Sequence, residues 1–128
     1  MTYIKMKIKE CILIEAFKCN ENDSVVDVAK KLRETSLRHI FVVNDEEYPT
    51  GIISVIDINN RVVAENKNAV ELKARDIMST PIDVADIEED IEEFSKKLIG
   101  RNHVMAPVVR ERKIIGIVTI HQLLKKLQ

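Results

Sequence analysis

Apolar positions along the chain fall into short runs whose spacing switches between a period of two and a period near 3.6. In residues 3–9, Ile4, Met6 and Ile8 alternate with Lys5, Lys7 and Lys9. This predicts a half-exposed strand at a sheet edge, where lysines discourage further pairing. Tyr3 lies at its start, and Ile12, Leu13 and Ile14 continue as a buried extended run toward Phe17. Val25, Val28, Ala29 and Leu32 then recur at i, i+3, i+4 and i+7 behind Ser24, with Asp27 three residues after that serine. The pattern predicts an amphipathic helix with a side-chain cap. Residues 39–44 read as a strand, 45–50 as a polar turn and 51–56 as the paired strand. From Asp57 a helix carries Ile58, Val62 and Val63, and the polar stretch 66–74 reads as a linker.

The second half repeats this order. Asp90 caps a helix, Glu93 answers at the third position, and Ile91, Phe94, Ser95 and Leu98 form its inward stripe. Gly100 stands where that helix should end. Residues 104–109 and 114–118 read as strands around a turn at 110–113. Thr119 opens a last helix with Leu123, Leu124 and Leu127 on its apolar side. Lys30-Lys31-Leu32 returns as Lys96-Lys97-Leu98, and Val43 as Val109, both 66 positions later; Gly51 returns as Gly116 after 65, so the first turn is longer by one residue. An internal repeat of this regularity is the strongest structural signal in the chain. It predicts an α/β (α+β) fold of two pseudo-symmetric βαββα repeats, packed sheet to sheet with helices outside, because neither repeat alone can bury both faces of its sheet. The expected division is 1–66 for the first repeat with its N-terminal strand and 67–128 for the linker and second repeat, together one globular module.

The candidate chemistry sits where the repeat is clearest. Gly51-Ile52-Ile53-Ser54-Val55-Ile56-Asp57 and Gly116-Ile117-Val118-Thr119-Ile120-His121-Gln122 both read as glycine, an apolar run, a hydroxyl residue and a polar group three positions on. Ser-x-x-Asp and Thr-x-x-Gln fit a capping box, in which the hydroxyl accepts a backbone N–H and the later side chain reaches back. A helix start also favours anions. Two readings of Ser54 and Asp57 therefore stand together: a cap worth roughly 1 kcal/mol, and a ligand cradle.

Composition narrows the function classes. With 45% hydrophobic and 32% charged residues the sequence specifies a folded globular protein. A net charge of -1 gives no general attraction to nucleic acid or to an anionic membrane, and 4% aromatic residues without Trp supply no stacking surface. No apolar run approaches the roughly 18 residues of a membrane span, and lysines interrupt the N-terminal stretch before a signal-peptide core forms. A cytoplasmic protein is expected. Cys11 and Cys19 match no metal or redox spacing and read as free thiols. His39, His103 and His121 share no spacing suited to a metal. The acidic run Glu88-Glu89-Asp90 with Glu92-Glu93 suits a helix start. No nucleophile–base pair and no glycine-rich phosphate loop emerge, so binding without turnover is expected, with no cofactor required.

Phe41-Val42-Val43-Asn44 and Pro107-Val108-Val109-Arg110, the two Gly-led stretches, and Asp76-Ile77-Met78 ahead of the second repeat together resemble a tandem pair of CBS domains, the Bateman module. The resemblance spans about residues 10 to 128 and implies a stand-alone regulatory module. It implies clefts for adenosine-containing ligands such as AMP, ADP, ATP or S-adenosylmethionine, with Asp57 on the ribose hydroxyls and Ser54 near the anionic end. Arg38, before the Phe41-Val42-Val43 run, falls where phosphate-holding members carry a basic residue; it reads equally as a surface charge. The opposite repeat closes such a cleft, which would bring Met78, Ser79, Thr80, Pro81, Ile82 and Val104 to the Asp57 site, with His103 beside it. The second copy departs from the pattern. Thr119 and Gln122 keep the capping geometry but lose the charge, and Val104 replaces Arg38, so a weaker second site is expected. The resemblance also implies a homodimer and a regulated partner protein that reads a ligand-driven change in inter-repeat geometry. The rival reading is a ligand-free structural interaction module.

Overall fold

A computed structural model describes residues 5–128. Its strands and helices follow the period of the apolar pattern. β1 (Lys18–Asn20), α1 (Val25–Thr35), β2 (His39–Val43), β3 (Pro49–Ser54) and α2 (Val55–Ile58) make the first repeat. A π-helical turn over Asn59–Val63 extends α2, and a short helix, α3 (Ala74–Ile77), precedes the second repeat. That repeat consists of β4 (Ala85–Asp86), α4 (Ile91–Gly100), β5 (Met105–Arg110), β6 (Lys113–Thr119) and α5 (Ile120–Lys126). Each repeat forms a three-stranded sheet in the order β1-β2-β3 or β4-β5-β6. In both, the first pair is parallel across a helical crossover and the second pair is an antiparallel hairpin.

The equivalence reaches backbone detail. The hairpin register shifts at Val42/Val43 and again at Val108/Val109. Left-handed residues end both long helices, Ser36 at φ 57 and Asn102 at φ 58. Gly100 is therefore not the helix terminator expected of it; it is the last helical residue, and Asn102 makes the reversal. Ser24 and Asp90 cap α1 and α4 as the sequence predicts, accepting the N–H groups of Asp27 and Glu93. Each helix buries its stripe: Val25, Val28 and Leu32 in one core, Ile91, Phe94 and Leu98 in the other. At the end of the first repeat Val62 is buried, while Val63 points outward.

The compact units do not coincide with the expected halves. One unit is Phe17–Ile82; the other joins the segment ending at Ala16 to Asp83–Gln128. The segment ahead of each repeat thus packs on the other repeat's sheet, so the compact units are offset from the sequence repeats. The cause lies in matched backbone bonds. Ala74 N–H donates to Asp23 O (2.8 Å), Arg75 N–H to Glu21 O (3.0 Å), and Val25 N–H to Leu72 O (2.9 Å). Sixty-six residues away in register, Ile8 N–H donates to Glu89 O (2.9 Å), Lys9 N–H to Ile87 O (2.9 Å), and Ile91 N–H to Met6 O (2.8 Å). The stretch read as a linker accordingly contributes to a core: Ala74 is buried in it, as is Ile77 just beyond, and Ala69 and Leu72 pack against the same cluster.

Two expectations for the N-terminal segment change for the same reason. Tyr3 and Ile4 lie outside the described residues. Ile8–Glu10 form a single 3-10 turn where a strand was expected, because the backbone is tied to residues 87–90 and not to a sheet edge. The alternation itself holds: Ile8 is buried, and Lys7 and Lys9 face solvent, both paired to Glu88. Ile12 is 88% exposed and Ile14 partly so, leaving Leu13 as the residue of that run that packs inward.

Leu13 explains one of the glycines. Gly116 lies inside β6, where a Cβ would stand 2.6 Å from Leu13 Cβ and 3.1 Å from Ile14 O. Gly51 lies inside β3, where a Cβ would meet Met78 Sδ at 2.5 Å. Neither glycine has positive φ. They are close-approach residues and not turn residues. Reciprocal backbone bonds beside them seal the contact: Ile52 with Ser79 (3.1 and 2.8 Å) and Ile14 with Ile117 (2.9 and 2.9 Å).

Gly116→Ala should therefore destabilise by about 1–3 kcal/mol, and Gly51→Ala by less, because the Met78 thioether can swing aside. Urea unfolding of both variants checks the order. Cys19 is buried, and desolvation pushes its thiol up to about 12 from 9.0. An alkylating reagent at neutral pH should label half-buried Cys11 well before Cys19. Stability should also fall as pH rises from about 9 toward 12, since the unfolded thiol ionises first; mass spectrometry and alkaline melts read these two outcomes.

Candidate functional site

β3 ends at Ser54, whose extended backbone (φ -109, ψ 164) turns the chain into α2. Asp57 N–H donates to Ser54 Oγ at 3.0 Å, and Ser54 N–H donates to Asp57 Oδ2 at 2.8 Å. The predicted capping box is present in full. Thr119 and Gln122 reproduce it: Gln122 N–H to Thr119 Oγ1 at 3.2 Å, Thr119 N–H to Gln122 Oε1 at 2.9 Å. Capping thus uses one oxygen of each polar side chain. What the other polar atom does separates the two copies.

In the second copy the remaining amide nitrogen is consumed. Gln122 Nε2 donates to Ile12 O at 2.8 Å, fastening α5 to the N-terminal segment of the same unit. With Oε1 already bonded, this amide holds no free acceptor of the kind a sugar diol needs. In the first copy the corresponding tie is made by a different residue. Arg61 Nη1 donates to Ile77 O at 2.8 Å and Met78 O at 3.2 Å, while Arg61 Nε stands 3.7 Å from Asp57 Oδ1. Asp57 Oδ1 has Ser79 Oγ as its other neighbour, at 3.5 Å. Both contacts are long, so Oδ1 remains an under-used acceptor on a carboxylate whose side chain is 16% exposed.

Docking of the segment 78–82 on the first unit puts Ser79 beside Asp57. Met78 to Ile82 belong to the same compact unit as Asp57, and Ser79 pairs with Ile52 of β3. Thr80 is exposed and Ile82 half-buried, both in the unit that holds Asp57. Val104 is exposed and belongs to the other unit. Arg38 is exposed at the start of β2, and its carbonyl accepts the Val55 N–H at 3.0 Å; Val104 O accepts Ile120 N–H at 2.8 Å in the equivalent place. Both residues stand next to the first turn of the helix that follows the capping hydroxyl. Ile40 and Ile53 are buried core.

One polar cluster gives no sequence signal. The Asp83 side chain is 2% exposed and takes Arg101 Nη1 on Oδ1 and His103 Nδ1, 2.7 Å away, on Oδ2. It fastens the chain entering β4 to the loop after α4. Its counterpart in the first repeat is Phe17, so repeat symmetry does not point to it. Arg61 was legible in principle, as an i+4 partner of Asp57 on a helix.

Two βαββα units of equivalent register, each with a hydroxyl-capped helix after its hairpin, define a tandem-repeat α/β module. The CBS-domain family matches this chain twice, over residues 8–64 and 74–128, and the chain belongs to that family. An uncharacterized protein of Methanopyrus kandleri is 34% identical over 104 residues, covering 80% of this chain and 53% of that protein. An L-aspartate semialdehyde sulfurtransferase of Methanocaldococcus jannaschii is 27% identical over 113 residues, covering 88% of this chain and 21% of the enzyme. The chain thus spans about half the length of one relative and a fifth of the other. Among solved structures, Hypoxic Response Protein I with two coordinated zinc ions superposes with a TM-score of 0.80 at 18% identity, over 96% of this chain and 100% of that one. The CBS domains of a transcriptional regulator from Streptococcus pneumoniae superpose at 0.73 and 20% identity, over 94% and 98%. These two likenesses concern the fold. Among the described residues no group of three His, Cys, Asp or Glu side chains is placed to hold a metal, and no helix is long and apolar enough to cross a membrane.

Removing both partners of Asp83, as Arg101→Ala with His103→Ala, strands a buried carboxylate and should cost about 3–5 kcal/mol. Asp83→Ala leaves Arg101 and His103 side chains that reach water and should cost less, about 1–3 kcal/mol. Denaturant midpoints of the two variants test that order.

Proposed function

We propose that the chain is a regulatory module that binds an adenosine-containing ligand at Asp57 without turning it over. The observation that carries this reading is the asymmetry of the two capping residues. Asp57 keeps an acceptor oxygen with long contacts only, while Gln122 spends both of its polar atoms inside the protein. An ionised carboxylate is an acceptor with several lone pairs, suited to the two O–H donors of a ribose. Ser54 and Arg38 flank the same helix start and would address the anionic end of AMP, ADP or ATP, or the tail of S-adenosylmethionine. Thr80 and Ile82, in the same unit as Asp57, are the proposed walls, and Thr119 with Gln122 the poorer second site. The mechanism requires the ligand to favour one arrangement of the repeats over another, since equal affinity for both shifts nothing.

The apolar residues Leu37, Val55 and Ile56 in one unit, and Ile99, Leu124 and Leu127 in the other, lie exposed on or next to helices. They support a homodimer formed through helical faces, and such a dimer would pass the change to a regulated partner protein in the cytoplasm. A ligand-free interaction module is favoured by one fact: capping alone accounts for the residue types at Ser54 and Asp57.

Thermal melts with AMP, ATP, S-adenosylmethionine and methylthioadenosine decide between the two. At least one should raise the midpoint. Asp57→Asn, which retains an oxygen for the Ser54 N–H, should weaken that ligand at least tenfold, as loss of a hydrogen bond to a charged group does. No shift with any of the four at millimolar concentration would establish the scaffold reading instead.

A further inference from the structure

Arg61 is the one basic side chain in contact with the Asp57 carboxylate among the described residues, and its position is fixed by other bonds. Nη1 is tied to the carbonyls of Ile77 and Met78 at 2.8 and 3.2 Å, so the guanidinium stays at 3.7 Å from Oδ1 whether or not the ion pair is strong. Its side chain is 48% exposed, against 16% for Asp57. The helix widens into its π-helical turn at Asn59–Val63, the segment that carries Arg61. Wide turns of this kind interrupt regular helices often at functional positions. The second repeat makes the same fastening without a cation: Gln122 itself reaches the carbonyl of Ile12, the counterpart of Ile77 at 65 residues' separation.

From these contacts we infer that Arg61 is a built-in counter-ion that competes with the ligand for Asp57, a specificity-determining residue for the site proposed above, on which the inference rests. A neutral diol must donate to an oxygen already facing a positive charge, so binding carries the cost of weakening the Arg61–Asp57 pair. The tether to Ile77 and Met78 keeps Arg61 from leaving, which holds the site at reduced affinity for uncharged nucleosides. Salt screens a partly exposed pair of this kind and should relieve the competition.

The experiment is calorimetric titration of the whole chain with adenosine and with 2′-deoxyadenosine, at low and high sodium chloride. Arg61→Gln is the variant of choice, because its amide still donates to a backbone carbonyl while the charge is gone. Adenosine should bind this variant about two- to fivefold more tightly than wild type, the range a partly exposed ion pair supports. The gain should shrink with 2′-deoxyadenosine, which has lost one of the two donors. Added salt should tighten adenosine binding to wild type and leave the variant nearly unchanged. Equal or weaker binding by Arg61→Gln, with its melting midpoint near that of wild type, overturns the counter-ion role while leaving the Asp57 site standing. Failure of both proteins to bind adenosine at millimolar concentration removes the site and the inference together.

Discussion

The structure depends on two backbone bridges made beside two glycines. Ile52 pairs with Ser79, and Ile14 with Ile117, where Gly51 and Gly116 leave room for the side chains of Met78 and Leu13. A methyl group at Gly116 would close that room, and one at Gly51 would force the Met78 side chain to move. Each bridge draws the segment ahead of one repeat onto the sheet of the other, and each therefore decides which residues share a compact unit. Stability and site geometry come from the same contact.

The site follows from that docking. Ser54 and Asp57 would cap α2 in any arrangement, since their bonds are local and three residues apart. Once the segment 74–79 lies along β3, Ser79 and the carbonyls of Ile77 and Met78 arrive beside the same helix, and Arg61 can bridge them to the carboxylate. In the second repeat the equivalent docking brings the carbonyl of Ile12, and Gln122 takes it directly. Duplication thus preserved the mechanical connection between helix and incoming segment while assigning it to different chemistry. A neutral amide completes it in one copy; a cation completes it in the other and leaves a carboxylate oxygen in reserve.

The Asp83 cluster shows a separate consequence of duplication. Buried carboxylates need partners, and Arg101 with His103 supply them from the loop after α4. The first repeat has a half-buried, uncharged Phe17 in the corresponding place. Equivalent folds have therefore diverged both where a helix starts and where the first strand of each sheet begins.

Sequence by itself determined the two repeats, their helices and hairpins, the caps at Ser24, Ser54, Asp90 and Thr119, and the difference between Asp57 and Gln122. These rest on periodicity and on bonds spanning three or four residues, which a linear reading can count. It expected a strand through Ile8 and Lys9, where the chain forms a 3-10 turn, and it read 66–74 as a mere connector. Only tertiary structure decided the exchange of segments, the exposure of Ile12, the partners of Asp83 and the fastening of Arg61. Those depend on carbonyls and side chains brought together from distant positions, where backbone groups carry no residue-specific signature that a sequence could display.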